Sequence, residues 1–481
     1  MTTDPESTSS IDTHLQPIET KMSYSYDDEK GWRRLRVLRP GRGIYHDIKR
    51  RLPYYWSDIT DAWTYRTVAS TIRMYFVNLL PAIAFTLDMY RRTGEFFGVN
   101  EALFSSALAA VVFSTLSAQP LTIVGVTGLI SLFNFTIYDI IKIYDVSIYP
   151  QFMAWTGIWA AIFHWLVAVF NGCDYMRYVT DFSSESFGLY VGIIYIIKGV
   201  EELVNEFTTE GSAAGITAQA RQFPLQKPGG FHWDFFLLGC ATFAAGILGL
   251  PMPNGLVPQA PVHTDSLTVY KTSLKIIPTS EGEDTEIRRP IVNATHVVEQ
   301  RLSHLLMGLA LIGTMTGPLL VVLHTMPAAV FAGVFFVVGW GSIESNSILQ
   351  KFVFLHSEKR FIQRDEPLLQ VRRRKIWLYI ILQFVDVAAC VAISHTLAAI
   401  GFPVLIILLI PMRVVLVPRW FTQKELQILD DFTATNKIVL ASLGGKPGLP
   451  EGSREEEWGL ERRVSESKHG VPRQRAGSLH R

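Results

Sequence analysis

Two stretches of this chain carry residues whose types and spacing could hold a small charged or hydroxylated solute. The first is Ala118-Gln-Pro-Leu-Thr-Ile-Val-Gly-Val-Thr-Gly128. The second is Pro253-Asn-Gly-Leu-Val-Pro-Gln-Ala-Pro-Val-His-Thr264. Both set Gln, Pro, Gly, Thr or His within apolar surroundings, where Pro and Gly interrupt a helix. A half-helix that begins at such a break presents free N–H groups and a partial positive charge. Two such N-termini facing one another attract an anion without a fixed cation. Gln119, Pro120, Thr122 and Thr127 form the candidate half-site on the first stretch, and Gln259, His263 and Thr264 on the second. The Gln259 amide can donate to an anion or to a hydroxylated neutral acid. His263 could move a proton, although a lone histidine is more often a hydrogen-bonded packing residue. Thr122 and Thr127 either line the site or bond back to their own helix. Asp386, in IWLYIILQFVDVAAC, is an acid inside an apolar run. A carboxylate there is costly, so a proton-coupling role and a protonated or paired structural role both stand open.

Other chemistries find no support. The phosphate-cradling G-x-x-x-x-G-K-[ST] and the zinc-binding H-E-x-x-H are absent, and Ser, His and Asp form no local hydrolase pattern. The three cysteines, Cys173, Cys240 and Cys390, lie in or beside apolar runs without metal-ligand spacing. No enzyme activity, cofactor or metal is expected. The net charge of +1 says nothing about partners, and nucleic acid is not expected.

The elements that must position these residues are long apolar runs. A bilayer core needs about 20 mostly apolar residues per helix. Runs at 71–90, 101–117, 121–141, 151–171 and 186–204 form one group, and runs at 235–251, 302–323, 328–340, 376–394 and 398–417 a second. Several are apolar on every side, where a water-soluble helix would keep a polar stripe. The expected fold is an all-α polytopic membrane protein. Residues 1–30 read as a disordered tail and 31–67 as an amphipathic basic lead-in, suited to the membrane surface and to anionic head groups. Residues 68–215 and 216–430 form the two halves of the membrane domain, and 431–481 read as a second disordered tail. Arg33, Arg34, Arg36, Arg39, Arg42, Lys49, Arg50 and Arg51 stand against Asp47 alone in 33–51, which places the N-terminus in the cytoplasm. Polar loops are expected at about 270–300 and 355–375. Asn134 and Asn293 begin glycosylation-like triplets, neither in a convincing setting.

Several motifs resemble the bicarbonate transporter family, which includes anion exchangers and the borate exporters of fungi and plants. They are GIYHDIKRRLPYYWSDITDAW (43–63), AQPLTIVGVTG (118–128), GLVPQAPVHTDSLTVY (255–270), EQRLSHLL (299–306) and FPVLIILLIPMRVVLVPRWFTQKELQILD (402–430). The resemblance spans roughly 31–432. It implies fourteen helices in two inverted repeats of seven, with the broken third and tenth meeting across an anion site, and a homodimer. PQAPVHT and ARQFPLQKPGGFHWDFFLLG are closer to the borate branch. Gln259 stands where mammalian exchangers place an arginine. The resemblance therefore implies secondary transport of borate, or of bicarbonate, by alternating access, in the plasma or vacuolar membrane with both termini cytoplasmic. The chain departs from the plan in one place: only about eleven segments are counted. VEELVNEFTTEGSAAG (200–215) resembles the end of the fifth helix and the start of the sixth. It runs directly into ITAQARQFPLQKPGG (216–230), which resembles the loop before the ninth. Helices six to eight are missing, and with them the acid that the family's eighth helix supplies. A non-transporting form that associates with full-length transporters is the alternative.

Overall fold

The computed structural model describes residues 22–25, 39–204, 225–256, 259–277, 287–324, 328–358, 362, 366–430 and 446–450. It has two compact units. In the smaller, β1 (Met22–Ser25) pairs antiparallel with β6 (Lys446–Pro450). Both strands fall in stretches expected to be disordered; the rest of those tails lies outside the described residues.

The larger unit is helical. Its lead-in holds α1 (Arg42–Arg51) and α2 (Tyr55–Thr60), joined by one 3-10 turn at Leu52–Tyr54. Next come α3 (Tyr65–Arg92) and α4 (Val99–Leu116), then β2 (Val124–Gly125) and α5 (Gly128–Lys142). They are followed by α6 (Tyr149–Val169), α7 (Asp181–Val204) and α8 (Phe231–Leu248). The second break gives β3 (Asn254–Gly255) and α9 (Gln259–Leu267), then β4 (Thr268–Ile277) and β5 (Ile287–Val297). The remainder is α10 (Leu302–Thr314), α11 (Gly317–His324), α12 (Ala328–Glu344), α13 (Ser347–His356), α14 (Arg373–Ser394), α15 (Phe402–Val415) and α16 (Gln423–Leu429).

Five described helices are long and apolar enough to cross a bilayer: Tyr65–Arg92, Val99–Leu116, Val146–Val169, Phe231–Leu248 and Arg373–Ser394. Two of the expected runs are split. The run at 121–141 opens with β2 before α5, and 302–323 divides between α10 and α11. The expected polar loop at about 270–300 is instead an antiparallel hairpin, Thr268 opposite Val297 through Ile277 opposite Ile287. Its strands are rich in Val, Ile and Thr, which favour extended backbone.

Small residues set the closest helix crossings. A Cβ added to Gly157 in α6 would lie 2.8 Å from the Gly246 Cα in α8, and one added to Gly339 in α12 would lie 2.9 Å from the Gly192 carbonyl oxygen in α7. Contacts this close let backbones meet where hydrophobic burial gives helices in lipid no preference for one another. The main apolar cluster runs from Leu79, Phe85 and Leu103 through Tyr190, Tyr195 and Phe335 to Tyr379 and Val417. It joins both halves of the membrane domain.

Candidate substrate site at the paired helix breaks

The two interrupted segments find their missing partners in each other. Val124 pairs with Gly255 and Gly125 with Asn254 in an antiparallel ladder, and Leu256 N donates to Ile123 O at 2.9 Å. Backbone at membrane depth has no water to turn to, so it must be satisfied within the protein. Helix α4 completes the set: Val126 N donates to Ser106 Oγ at 2.9 Å, and Ser105 Oγ donates to Pro251 O at 2.5 Å.

From this junction α5 and α9 start. Thr127 caps α5, its Oγ1 accepting from Ile130 N at 3.4 Å, as an N-cap threonine does. Gln259 is the first residue of α9 and is 1% exposed. Tyr195 of α7 comes up beside it, yet neither amide atom of Gln259 completes a hydrogen bond. Leaving a buried amide unpaired costs about 1–3 kcal/mol, so the Tyr195 hydroxyl beside it is the group within reach to offset that cost. At the start of α5, any side chain at Gly128 would collide with the Phe85 ring, 2.3 Å from an added Cβ. Phe85 in turn meets Phe335 and Tyr195 at ring separations of 4.8 and 5.6 Å. The starts of α5 and α9 thus each meet the same aromatic group, Gly128 against Phe85 and Gln259 beside Tyr195.

The remaining candidates divide. His263 has both ring nitrogens occupied, Nδ1 by Leu121 O at 3.0 Å and Nε2 by Ser303 Oγ at 2.7 Å. It ties the first break to α10, the packing role. Thr264 Oγ1 donates back to Ala260 O at 3.0 Å. Pro120 and Thr122 are buried along the first break. Gln119 lies elsewhere: its backbone N donates to Asp234 Oδ2 at 3.0 Å, at the start of α8. It follows the C-terminus of α4, ten residues beyond Ser106, so about 15 Å along that axis from the junction. Asp386 is on α14, which packs chiefly on α7, α13 and α15 rather than on either break. Its Oδ2 makes no hydrogen bond.

Two charged clusters at the lead-in end escaped the sequence reading. Asp58 is fully buried and accepts from Arg51 Nη2 at 2.5 Å, Lys227 Nζ at 3.0 Å and Arg301 Nε at 3.1 Å. Glu299 accepts from the backbone N–H of Gln226 at 2.6 Å and Lys227 at 2.8 Å, and burial still pushes its carboxyl above the usual range. In the second cluster Asp47 Oδ2 accepts from His232 N at 2.9 Å, and Asp234 accepts from the N–H groups of Ala118 and Gln119. The only available signal was an acid among many bases in 33–51 and one acid opening each of two apolar runs.

Paired broken segments within a bundle of apolar helices define an all-α polytopic membrane protein. Residues 39–222 and 212–434 match the HCO3- transporter integral membrane domain, and the chain belongs to that family. A Schizosaccharomyces pombe protein named as a transporter is 36% identical, the match covering 81% of this chain and 96% of the relative. Boron transporter 1 of Saccharomyces cerevisiae is 32% identical over 88% of this chain and 92% of its own. Anion exchange protein 3 of Rattus norvegicus is 22% identical over 81% of this chain and 42% of that longer protein. Among solved structures, the transmembrane domain of the cyanobacterial bicarbonate transporter BicA covers 68% of this chain and 98% of its own, with a TM-score of 0.35 and 11% identity. The S. pombe alignment runs over 503 positions but uses 81% of 481 residues, about 390, which leaves about 113 positions without a counterpart here. The family match divides at 212–222, where helices six to eight were expected to be missing. The join itself, 205–224, lies outside the described residues.

Proposed function

We propose that this chain carries an inorganic anion across a membrane by alternating access, with borate the first substrate and bicarbonate the second. The observation that supports this most is Gln259, a buried amide at the start of one half-helix whose two polar atoms complete no hydrogen bond of good geometry, with only the Tyr195 hydroxyl beside it among the described residues, while Thr127 caps the start of the other. Borate is hydroxylated, so it can both accept from the amide nitrogen and donate to the amide oxygen. An arginine would favour an acceptor-only anion by charge. The S. cerevisiae relative, named for boron, points the same way. Thr122 and Thr264 are proposed to lie along this site, with Pro120 shaping the first break; Gln119 is proposed to line its approach. Asp386 is retained as the proton-coupling candidate. The plasma membrane is the proposed location and a homodimer the proposed assembly.

The test is intracellular boron in yeast cells lacking their own exporter, with and without this chain. The chain is expected to lower boron, and Gln259→Leu to abolish the effect while leaving the thermal midpoint of the purified protein unchanged or higher. Unchanged boron, with the chain confirmed at the cell surface, overturns borate transport. A second reading rests on the roughly 113 unmatched positions: the shortened chain does not transport but associates with full-length relatives. Co-purification with such a relative, without transport by this chain alone, supports it.

A further inference from the structure

The lead-in is inside out. Gly43, Asp47, Arg51, Asp58 and Ala62 face the bundle and are buried, three of them charged. Tyr45, Ile48, Leu52, Trp56, Ile59 and Trp63 face outward, between 36% and 80% exposed. From Tyr45 to Ile59 their spacing of 3, 4, 4 and 3 makes one continuous stripe along a helical path, because α1, the 3-10 turn and α2 follow without a break, and Trp63 lies in the turn beyond α2. A helix against water shows the reverse pattern, with its apolar stripe turned to the core. An outward stripe this regular marks a surface made for an apolar partner.

The position of the stripe in the chain identifies the partner. Thr64 caps α3, whose residues Tyr65–Arg92 form a bilayer-crossing helix. The stripe therefore ends where a membrane span begins, at the depth of the head groups. Trp and Tyr concentrate at that depth. Lys49 is exposed next to the stripe and lies 5.9 Å from the Tyr45 ring centroid, and Arg42 flanks it one turn earlier. Cations beside an apolar and aromatic stripe fit a negatively charged bilayer face. A partner helix in water would be met by the aromatic side chains but would leave the adjacent span start uncovered.

We propose that residues 42–63 form a binding surface for a bilayer of anionic lipid. The inward face holds the strip to the bundle through Asp47 and Asp58, and the outward stripe lies in the head-group layer with Lys49 toward the lipid phosphates. The strip then couples surface charge to the end of the bundle where both charged clusters sit.

The test uses the full chain in nanodiscs of phosphatidylcholine alone and of phosphatidylcholine with phosphatidylserine. Spin labels go one at a time to positions 48, 52, 56, 59 and 63, with Cys173, Cys240 and Cys390 replaced by alanine. The expected result is several-fold greater relaxation by oxygen than by a water-soluble nickel chelate, greater still with phosphatidylserine, and loss of that extra depth in Lys49→Gln. Access to nickel equal to that of a fully exposed loop overturns the proposal. So does protection from both reagents, which marks contact with a second copy. Should the labelled variants misfold, brominated lipid quenches tryptophan in the unaltered chain. Trp56→Phe with Trp63→Phe must reduce that quenching, and no reduction overturns the proposal.

Discussion

Replacing Asp58 by asparagine removes one charge from a site where three cations converge. Side-chain exposure is 0% for Asp58 and 4%, 6% and 14% for Arg51, Arg301 and Lys227. The substitution keeps volume and shape, so the effect is electrostatic. The cations are not left equally exposed to the loss. Lys227 keeps Asp61 at 2.7 Å and Arg51 keeps Glu299 at 3.7 Å. Among the described residues Arg301 keeps no acid within ion-pair distance, but the Ser114 and Thr115 carbonyls, the Tyr55 ring at 4.5 Å and the more distant charge of Asp234. Breaking a buried pair by deleting one partner costs about 3–5 kcal/mol, because the other charge stays buried. Asp61→Asn removes a pair whose acid is 50% exposed, worth about 0–1 kcal/mol. Thermal midpoints from intrinsic fluorescence of the purified protein separate the two. Arg301→Gln then closes a double-mutant cycle, with an expected coupling of about 1–3 kcal/mol. If Asp58→Asn and Asp61→Asn shift the midpoint equally, or if Asp58→Asn and Arg301→Gln simply add, the hub does not hold the lead-in.

Four further outcomes follow from other contacts. Gly157→Val should lower the midpoint by the equivalent of about 1–3 kcal/mol or more, because the new Cβ meets backbone at Gly246; Gly313→Ala, with nothing within 4 Å, should not. Thr127→Val removes the α5 cap and should cost about 0.5–2 kcal/mol as well as transport. His263→Ala should destabilise, since two partners lose their bonds, whereas Gln259→Leu should not; equal midpoints for the two would refute the division of roles. Glu299 titrates above its ordinary value of 4.5 in the folded chain, so the folded state holds the proton more tightly than the unfolded one. Stability should therefore fall as pH rises from about 4.5 through the raised folded value, and Glu299→Gln should flatten that slope in a midpoint-against-pH series.

The membrane class and the two breaks were legible because both rest on local rules. Apolar runs report bilayer thickness, and Pro and Gly report interruption. What the breaks do next is not local. That Val124 and Gly125 pair with Gly255 and Asn254 follows from an unmet backbone need at each break, but register across 130 residues is set by the packing of α4 against both. Gln119 shows the limit from the other side. It shares a motif with Thr127, yet a turn closed by Thr122 N on Gln119 O and the strand β2 separate the two, and Gln119 stays at the far end of α4, where Asp234 takes its N–H. His263, whose type alone makes a packing role the commoner one, is a crosslink in space. The charged clusters were illegible because charge in a polar lead-in normally means solvent exposure, and nothing local shows that Asp47, Arg51 and Asp58 turn inward. The hairpin at β4 and β5 had a strand-like composition that the polar ends of the region outweighed.

The sharpest constraint comes from sidedness. Gly41 N donates to Val169 O at 2.7 Å, so α6 ends at the lead-in. Asp174, five residues on, faces His232 at 3.4 Å at the start of α8. Helix α7 therefore begins at the lead-in end and runs 24 residues away from it, about 36 Å. Lys227 is back at the lead-in, bonded to Asp58 and Asp61. Val204 and Leu225 thus stand at opposite ends of a bundle that matches the bilayer's thickness of about 30 Å; what joins them lies outside the described residues. The sequence of 205–224 includes Glu206, Glu210 and Arg221, and a charged side chain is costly at membrane depth. Three helices of about 20 residues with their loops would make the same return at no such cost, and about 113 unmatched positions in the S. pombe relative are the right number. Three helices and their loops inserted between Glu210 and Gly215, where the family match divides, should therefore raise both the thermal midpoint and boron efflux. Equal efflux with and without the insert would show that 205–224 serve as well as the helices they replace, and would sink the case that the short form is impaired.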